Sequence, residues 1–129
     1  MSDHDRPLRV VLADDEEDIR TVGELALAAV GGCEVRCAAS GEEALALIAQ
    51  QRPDVLILDV MMPVLDGPST LRRLRESEAG QPLPVIFMTA SVGRDSQLGY
   101  VELGAAGVIT KPFDPMSLLE EVRALLSGP

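Results

Sequence analysis

The segment that most constrains the fold is the apolar run 55–58, whose four residues lead directly into Asp59. A run that is apolar on both faces of a strand is typical of the centre of a parallel sheet covered by helices on each side. Pro63 prevents the strand from continuing. Asp59 would then lie at the carboxyl edge of the sheet, where open α/β folds bind their ligands. Taken alone, Asp59 could equally be a turn residue or a helix cap.

Strand-like and helix-like segments alternate five times along the chain. Strands are predicted at 8–13, 33–38, 55–59, 84–88 and 107–110, and helices at 16–30, 41–51, 66–77, 95–103 and 115–126. Short connections and strict alternation indicate right-handed crossovers with helices on both faces of the sheet. The predicted fold is therefore α/β, a doubly wound (βα)5 parallel sheet with strand order 2-1-3-4-5.

Capping residues and apolar spacing predict how the helices begin and pack. Ser40 followed by Glu43 is a capping-box pattern, and Asp114 followed by Pro115 is typical of an N-cap and the first helical residue. The side chains expected to face the core are Ile19, Val22, Ala26, Ala29 and Val30 in the first helix, Leu98 and Val101 in the fourth, and Met116, Leu119, Val122, Leu125 and Leu126 in the fifth.

Length and composition favour one globular domain. The chain has 129 residues, of which 47% are hydrophobic, and this is enough to bury a core. We expect a flexible polar arm at 1–7 and a single domain at 8–127. No apolar run approaches the length of a membrane span, and no signal peptide is recognised at the start, so a cytoplasmic location without membrane contact is expected.

The charge balance argues against nucleic-acid binding. Acidic residues outnumber basic ones 21 to 11, which gives a formal charge of −10, and aromatic residues make up only 2%. A nucleic-acid interface needs a basic surface and often aromatic side chains for stacking. Cys33 and Cys37 would lie roughly 13 Å apart in an extended strand, too far for a disulfide, and are expected to be small core residues.

Polar residues end four of the five predicted strands. They are Asp14 and Asp15 after the first strand, Asp59 after the third, Thr89 after the fourth and Lys111 after the fifth. Each has an ordinary structural explanation on its own, such as a helix N-terminus that favours acids or a solvated lysine. Together they are better explained by one crevice, because the carboxyl ends of parallel strands lie at the same edge.

Three carboxylates at one edge indicate a cation site. Two unit charges 4 Å apart repel by about 4 kcal/mol at an effective dielectric near 20, and a divalent cation offsets this repulsion. Oxygen ligands of high charge suit Mg²⁺. A carboxylate beside Mg²⁺ can act as a nucleophile toward a phosphoryl group, and an ammonium and a hydroxyl can hold the phosphoryl oxygens. Lys111 and Thr89 have those two groups.

These motifs resemble the receiver domain of bacterial two-component response regulators. The matching segments are Asp14-Asp15, Asp59-Val60-Met61-Met62-Pro63, Asp66-Gly67, Thr89-Ala90 and Lys111-Pro112-Phe113. The resemblance extends over 8–126 and implies a CheY-like, flavodoxin-like fold. It also implies a phosphorylatable signalling switch that is not an enzyme toward other substrates.

The resemblance implies a role for each strand-end residue. Asp59 would accept a phosphoryl group from a histidine kinase or a histidine phosphotransfer protein. Thr89 would be the switch hydroxyl that closes on the phosphate, and Lys111 would form an ion pair with it. The bond between Lys111 and Pro112 is expected to be cis.

The implied cofactor is Mg²⁺. Asp15, Asp59 and the backbone carbonyl of Met61 would hold the ion, and Asp14 would assist directly or through water. Met61 also occupies one of two positions at which the family tunes the lifetime of the phosphoryl group, and Ser91 occupies the other. Neither residue indicates what that lifetime is here.

The family's output surface is the face formed by the fourth helix, the fifth strand and the fifth helix, so a protein target or a homodimer is expected to bind there. Receivers often have Tyr or Phe three residues before the lysine, as a rotameric switch, and this chain has Val108. Neither Tyr100 nor Phe113 is at that position. The signal is therefore expected to pass through the loop after Thr89 and the helix at 95–103.

Two other classes of function stay open at this stage. A flavodoxin-like cofactor binder would need a phosphate-binding loop after the first strand, where acidic residues stand instead, and it would be coloured. A small-substrate phosphatase or phosphotransferase with an Asp nucleophile would need a second acid two residues after Asp59, where the chain has Met61. No output domain is recognised within this sequence, so the receiver is expected either to stand alone and act by binding partners or to belong to a larger regulator.

Overall fold

The structure, a computed structural model, describes residues 6–78, 80–90 and 93–128, and for 94–97 it describes the backbone alone. The strands are β1 Arg9–Ala13, β2 Glu34–Ala38, β3 Val55–Asp59, β4 Val85–Thr89 and β5 Gly107–Thr110. The helices are α1 Glu17–Glu24, which continues as a π-helical segment Leu25–Val30, then α2 Gly41–Gln50, α3 Gly67–Ser77, α4 Arg94–Glu102 and α5 Leu118–Ser127.

The five strands form one parallel sheet in the order β2-β1-β3-β4-β5. This confirms the predicted α/β fold and its strand order. β1 and β3 are neighbours, with Ala13 opposite Leu58. Asp59 is in register with Met88, and Thr89 is in register with Thr110. The register therefore places the ends of β1, β3, β4 and β5 along one edge of the sheet.

Two apolar clusters cover the two faces of the sheet. One contains alternate residues of the central strands, such as Leu58 and Phe87, and packs against α2 and α3 through residues such as Ala44 and Leu71. The other contains the intervening residues, such as Ile57, and packs against α5 and the π-helical segment. All residues of β3 and β4 are buried, as expected for a two-sided core.

The predicted inward face of the first helix is partly wrong. Val22 is 38% exposed and Val30 is 63% exposed, whereas Gly23 and Leu27 are buried. A π-helical segment has more residues per turn than an α-helix, so the α-helical spacing used for the prediction does not hold through Leu25–Val30, which accounts for Val30. Val22 lies before that segment, in α1, where Gly23 is the buried residue instead. Gly23 packs closely on the sheet, since a Cβ there would lie 2.6 Å from the Leu12 side chain.

The predicted start of the fifth helix is also wrong. Asp114 and Pro115 lie in a turn, in which Asp114 Oδ1 accepts a hydrogen bond from the Met116 amide at 3.0 Å, and α5 begins only at Leu118. Because the turn precedes the helix, Met116 points outward and is 75% exposed instead of buried. In α5 itself Val122 is buried as predicted.

The fourth helix packs through a residue that its spacing did not indicate. Leu98 and Val101 are 53% and 50% exposed, so neither is the predicted anchor. Tyr100 instead packs against Phe87 of β4, with ring centroids 5.2 Å apart. Val108 of β5 is partly buried and packs against the same apolar cluster, the one that contains Phe87.

The two cysteines behave as predicted. Cys33 is buried, Cys37 is partly buried, and both are free thiols. Burial raises the pKa of both, and for Cys37 the nearby Glu24 carboxylate adds to burial and brings the pKa to about 11. Neither thiol is therefore activated at neutral pH.

Candidate functional site

The end of β1 presents two acidic residues with different surroundings. Asp14 is fully buried, and its amide donates to the Ala38 carbonyl at 3.1 Å, which continues the pairing with β2. Asp14 Oδ1 accepts a hydrogen bond from the Glu16 amide at 2.9 Å, and Arg20 donates to the Asp14 carbonyl at 2.9 Å. Asp15 is exposed. Asp14 is thus held through its amide, its carbonyl and its carboxylate, while the neighbouring Asp15 faces the solvent.

Asp59 ends β3 and is 3% exposed. The chain after it is held by backbone hydrogen bonds, from the Val60 amide to the Met88 carbonyl at 3.0 Å and from the Gly67 amide to the Val60 carbonyl at 2.9 Å. Gly67 has no room for a side chain, because a Cβ there would lie 2.7 Å from the Asp59 carbonyl oxygen. The packing of this connection therefore fixes the position of Asp59.

Two further details define the connection between β3 and α3. Asp66 is the N-cap of α3 and accepts a hydrogen bond from the Ser69 amide at 2.8 Å. Val64 has φ 70° and is 96% exposed. This conformation is unusual for a β-branched residue, and nothing in the sequence indicated it.

Lys111 ends β5 and joins the buried carboxylates. Its Nζ lies 2.7 Å from Asp14 Oδ2, 3.2 Å from Asp59 Oδ1 and 3.8 Å from Glu16 Oε1. The Lys111 amide donates to the Thr89 carbonyl at 2.8 Å, which ties it to the end of β4, and the bond to Pro112 is cis as expected. The ammonium is thus the cation nearest the carboxylates among the described residues.

The electrostatics of the site favour an added cation. Burial raises the pKa of Asp59, the Asp14 charge raises it further, and Lys111 only partly opposes both, so the pKa is about 6. Burial alone would lower the pKa of Lys111, but its hydrogen bond to Asp14 and the charges of Asp14 and Asp59 outweigh burial and raise it. Lys111 is therefore charged at neutral pH and does not fully neutralise the carboxylates.

The donor atoms fit a hard divalent cation. Asp14, Asp15 and Asp59 each offer a carboxylate oxygen, and these oxygens lie within 4.8 Å of one another. An all-oxygen set with excess negative charge is the kind that Mg²⁺ prefers. The structure thus brings together the three acidic residues that the sequence placed at strand ends.

A surface cavity of about 320 Å³ opens beside these residues. Its lining includes Glu16, Asp59, Met61, Thr89 and Lys111. Thr89 is 5% exposed at the end of β4, and the Met61 side chain is 78% exposed at the rim. Four of the five predicted strand-end residues are therefore in this cavity or in direct contact with a residue that lines it. Ser91, the other position connected with phosphoryl lifetime, lies outside the described residues.

Glu16 is the site residue that sequence reasoning missed. It was predicted only as the first residue of a helix, yet its carboxylate lies beside Lys111 in the same cavity. The available signal was a third acidic residue directly after Asp14 and Asp15. That signal is weak, because acidic residues are common in the first turn of a helix.

Comparison with known proteins identifies the family. The model of the response regulator receiver domain matches residues 10–123. The response regulator MprA of Mycolicibacterium vanbaalenii is 39% identical over 120 residues, which cover 93% of this chain and 51% of that protein. The chain therefore belongs to the response regulator receiver domains, which act in two-component signal transduction.

Solved structures agree with this assignment. The chemotaxis protein CheY4 of Vibrio cholerae is 32% identical, with a TM-score of 0.84 over 92% of this chain and 98% of that one. The receiver domain of NtrX from Brucella abortus is 28% identical, with a TM-score of 0.81 over the same shares. The predicted CheY-like, flavodoxin-like fold is thus confirmed.

Two further observations concern the chain as a whole. It spans about half the length of the curated relatives it matches, 45% of one and 51% of another. Within the part of the chain that the structure describes, the helices are too short or too polar to cross a membrane.

Proposed function

We propose that this receiver domain is a phosphorylation switch with Asp59 as the phosphoacceptor. The observation that carries the proposal is the position of Asp59. It is a buried carboxylate at the carboxyl end of the central strand, 3.2 Å from the Lys111 ammonium and clustered with Asp14 and Asp15. Its pKa of about 6 leaves most of the carboxylate ionised, and so nucleophilic, at pH 7 or above.

The proposed donor is the phosphohistidine of a histidine kinase or a histidine phosphotransfer protein. An oxygen of Asp59 attacks the phosphorus, the bond from phosphorus to the imidazole nitrogen breaks, and its electron pair stays on the leaving imidazole. Lys111, whose Nζ lies 3.2 Å from Asp59 Oδ1, is proposed to balance the charge of the product acyl phosphate. Thr89 is proposed to close on a phosphoryl oxygen through its hydroxyl.

Asp15, Asp59 and the Met61 carbonyl, with Asp14 directly or through water, are the proposed holders of Mg²⁺. When bound, the ion neutralises negative charge on the phosphoryl oxygens. The residues of the chain itself position the reacting groups. Asp14 keeps Lys111 in place through their 2.7 Å ion pair, and the packing of Gly67 keeps the buried Asp59 in the lining of the cavity.

The proposed output is binding and not catalysis on other molecules. A protein target or a second copy is expected to dock on the face formed by α4, β5 and α5, and no direct contact with nucleic acid is expected from this domain, given its charge of −10. The proposed location is the cytoplasm, where the histidine kinase domains that would supply the phosphoryl group act. The boundaries 8–127 stay a prediction for the domain.

Intact-mass spectrometry after incubation with acetyl phosphate and Mg²⁺ tests the proposal. The parent is expected to gain one phosphoryl group, and the gain should disappear with a chelator and in Asp59→Asn. No gain in the parent would indicate a receiver that signals by binding alone. A gain that survives Asp59→Asn would identify another acceptor, with Asp14 and Asp15 the next residues to test.

A further inference from the structure

The carboxylate of Glu16 lies at the entrance of the cavity and takes no part in holding the buried cluster together. Lys111 has two closer partners in Asp14 and Asp59, at 2.7 and 3.2 Å, whereas Glu16 Oε1 lies at 3.8 Å. The Glu16 side chain is 65% exposed, and those of Asp14 and Asp59 are buried. Exposed ion pairs of this kind contribute little to stability.

The backbone nevertheless fixes where this charge sits. Glu16 is the N-cap residue of α1, its amide donates to Asp14 Oδ1 at 2.9 Å, and its carbonyl accepts from the Arg20 amide at 3.2 Å. The amide of Glu16 is therefore tied to the buried Asp14 carboxylate, and its carbonyl is tied to helix α1. The carboxylate can change rotamer, but it stays beside the cavity that leads to Asp59.

We propose that Glu16 determines which phosphodonors react with Asp59, by disfavouring small, highly charged ones. The inference rests on the proposed function, since it concerns access to the same carboxylate. A donor must bring its own negative charge to a site where Glu16, Asp14, Asp15 and Asp59 contribute four negative charges, which exceed the three positive charges of Lys111 and a bound Mg²⁺. Removing one of four negative charges lowers the repulsion that the donor meets on approach.

The size of the donor decides how strongly this charge acts. A small dianion such as acetyl phosphate has few other contacts to offset the repulsion. A phosphohistidine protein contacts a much larger surface and can bring basic groups of its own, so its reaction depends less on one exposed carboxylate. Glu16 would therefore favour a protein donor over small phosphorylated metabolites.

Phosphorylation kinetics of Glu16→Gln and Glu17→Gln, both at saturating Mg²⁺, test the inference. Glu17 is the next residue, it is exposed in the first turn of α1, and its change to Gln removes the same charge. Glu16→Gln is expected to raise the rate constant with acetyl phosphate by roughly 5-fold at low salt. The increase should be smaller with phosphoramidate, which carries less negative charge, and it should nearly vanish at 1 M salt. Glu17→Gln should change the rate by less than about 2-fold.

Equal rate constants for the two variants, or an increase with Glu16→Gln that is independent of salt and of donor charge, would overturn the inference. A thermal melt of each variant separates these results from loss of folding. The parent distinguishes the two proposals. If it reacts through Asp59 and the variants do not differ, only the role of Glu16 fails. If the parent is not phosphorylated, or Asp59→Asn still is, the proposed function fails and this inference fails with it.

Discussion

The connection between β3 and α3 and the helix α4 both follow central strands at the same edge of the sheet, yet they are built differently. The connection is held by two backbone hydrogen bonds from Val60 and Gly67, and a Cβ at Gly67 would collide with the backbone. In α4, a Cβ at Gly99 would meet no described atom within 4 Å apart from the backbone of its own helix, and Leu98 and Val101 are half exposed.

The tightly packed connection between β3 and α3 fixes the position of Asp59, whereas the more loosely packed α4 can move in response to phosphorylation. Asp59 is attached to the tightly packed connection, so its position is set before any donor arrives. Thr89 ends the strand that leads to α4, which packs on the core through the contact of Tyr100 with Phe87. We therefore expect phosphorylation to move α4 more than the connection. Superimposable α4 backbones in metal-bound and beryllofluoride-bound structures would contradict this.

The largest effect is expected from removing the charge of Asp59. Because its pKa is raised from 3.8 to about 6, ionising it destabilises the folded state. In chelator, Asp59→Asn should be as stable as the parent below about pH 4. Its free energy of unfolding should exceed that of the parent by an amount that grows as pH rises from about 4 to 6 and reaches about 3 kcal/mol above pH 7. Urea unfolding across pH measures this difference.

Saturating Mg²⁺ is the matched control for that prediction, since a bound cation stabilises the parent more than the variant, which lacks one of the three clustered carboxylates. The difference in the free energy of unfolding between the two proteins at pH 7.5 should then be smaller than in chelator. A parent that gains stability relative to Asp59→Asn as pH rises through 6 in chelator would contradict a buried Asp59 carboxylate whose ionisation is unfavourable.

A smaller but still large effect is expected at Gly67. Gly67→Ala would bring a methyl group within 2.7 Å of the Asp59 carbonyl oxygen and 2.9 Å of the Val60 Cα, and neither backbone atom can move without shifting the site. We expect a loss of about 2–3 kcal/mol in the free energy of unfolding, together with slower phosphorylation. Chemical denaturation with parallel intact-mass kinetics measures both quantities.

The smallest effect is expected from the same substitution in α4. Gly99→Ala adds a methyl group at a position where, among the described residues, only the backbone of the same helix lies within 4 Å. Because glycine weakens a helix, the substitution should stabilise the protein by about 0.5–1 kcal/mol. Denaturation under the conditions used for Gly67→Ala measures the gain. Equal destabilisation by the two substitutions would remove the contrast between the two regions.

The sheet and the main site residues were accessible from sequence because they depend on patterns along the chain. Apolar runs such as 55–58 end in polar residues, and parallel topology then brings Asp14, Asp59 and Lys111 to one edge. The contact between Glu16 and Lys111 depends instead on side-chain placement in three dimensions. No spacing rule reports that contact.

The errors in the helices have a similar origin. The inward face of the first helix was predicted from α-helical spacing, and the π-helical segment Leu25–Val30 changes that spacing. Met116 was placed in a helix that begins two residues later. In α4 the apolar residues follow no strong helical period, so Leu98 and Val101 were chosen over Tyr100, which is the residue that packs on the core.

The central claim is that Asp59 receives the phosphoryl group, and the most direct test is to trap the product chemically. The protein is phosphorylated with acetyl phosphate and Mg²⁺, reduced with borohydride, and mapped by peptide mass spectrometry. Reduction converts an aspartyl phosphate into homoserine, which marks the acceptor. We expect homoserine at position 59 and aspartate at positions 14 and 15. Homoserine at position 14 or 15, with position 59 unchanged, would contradict the account.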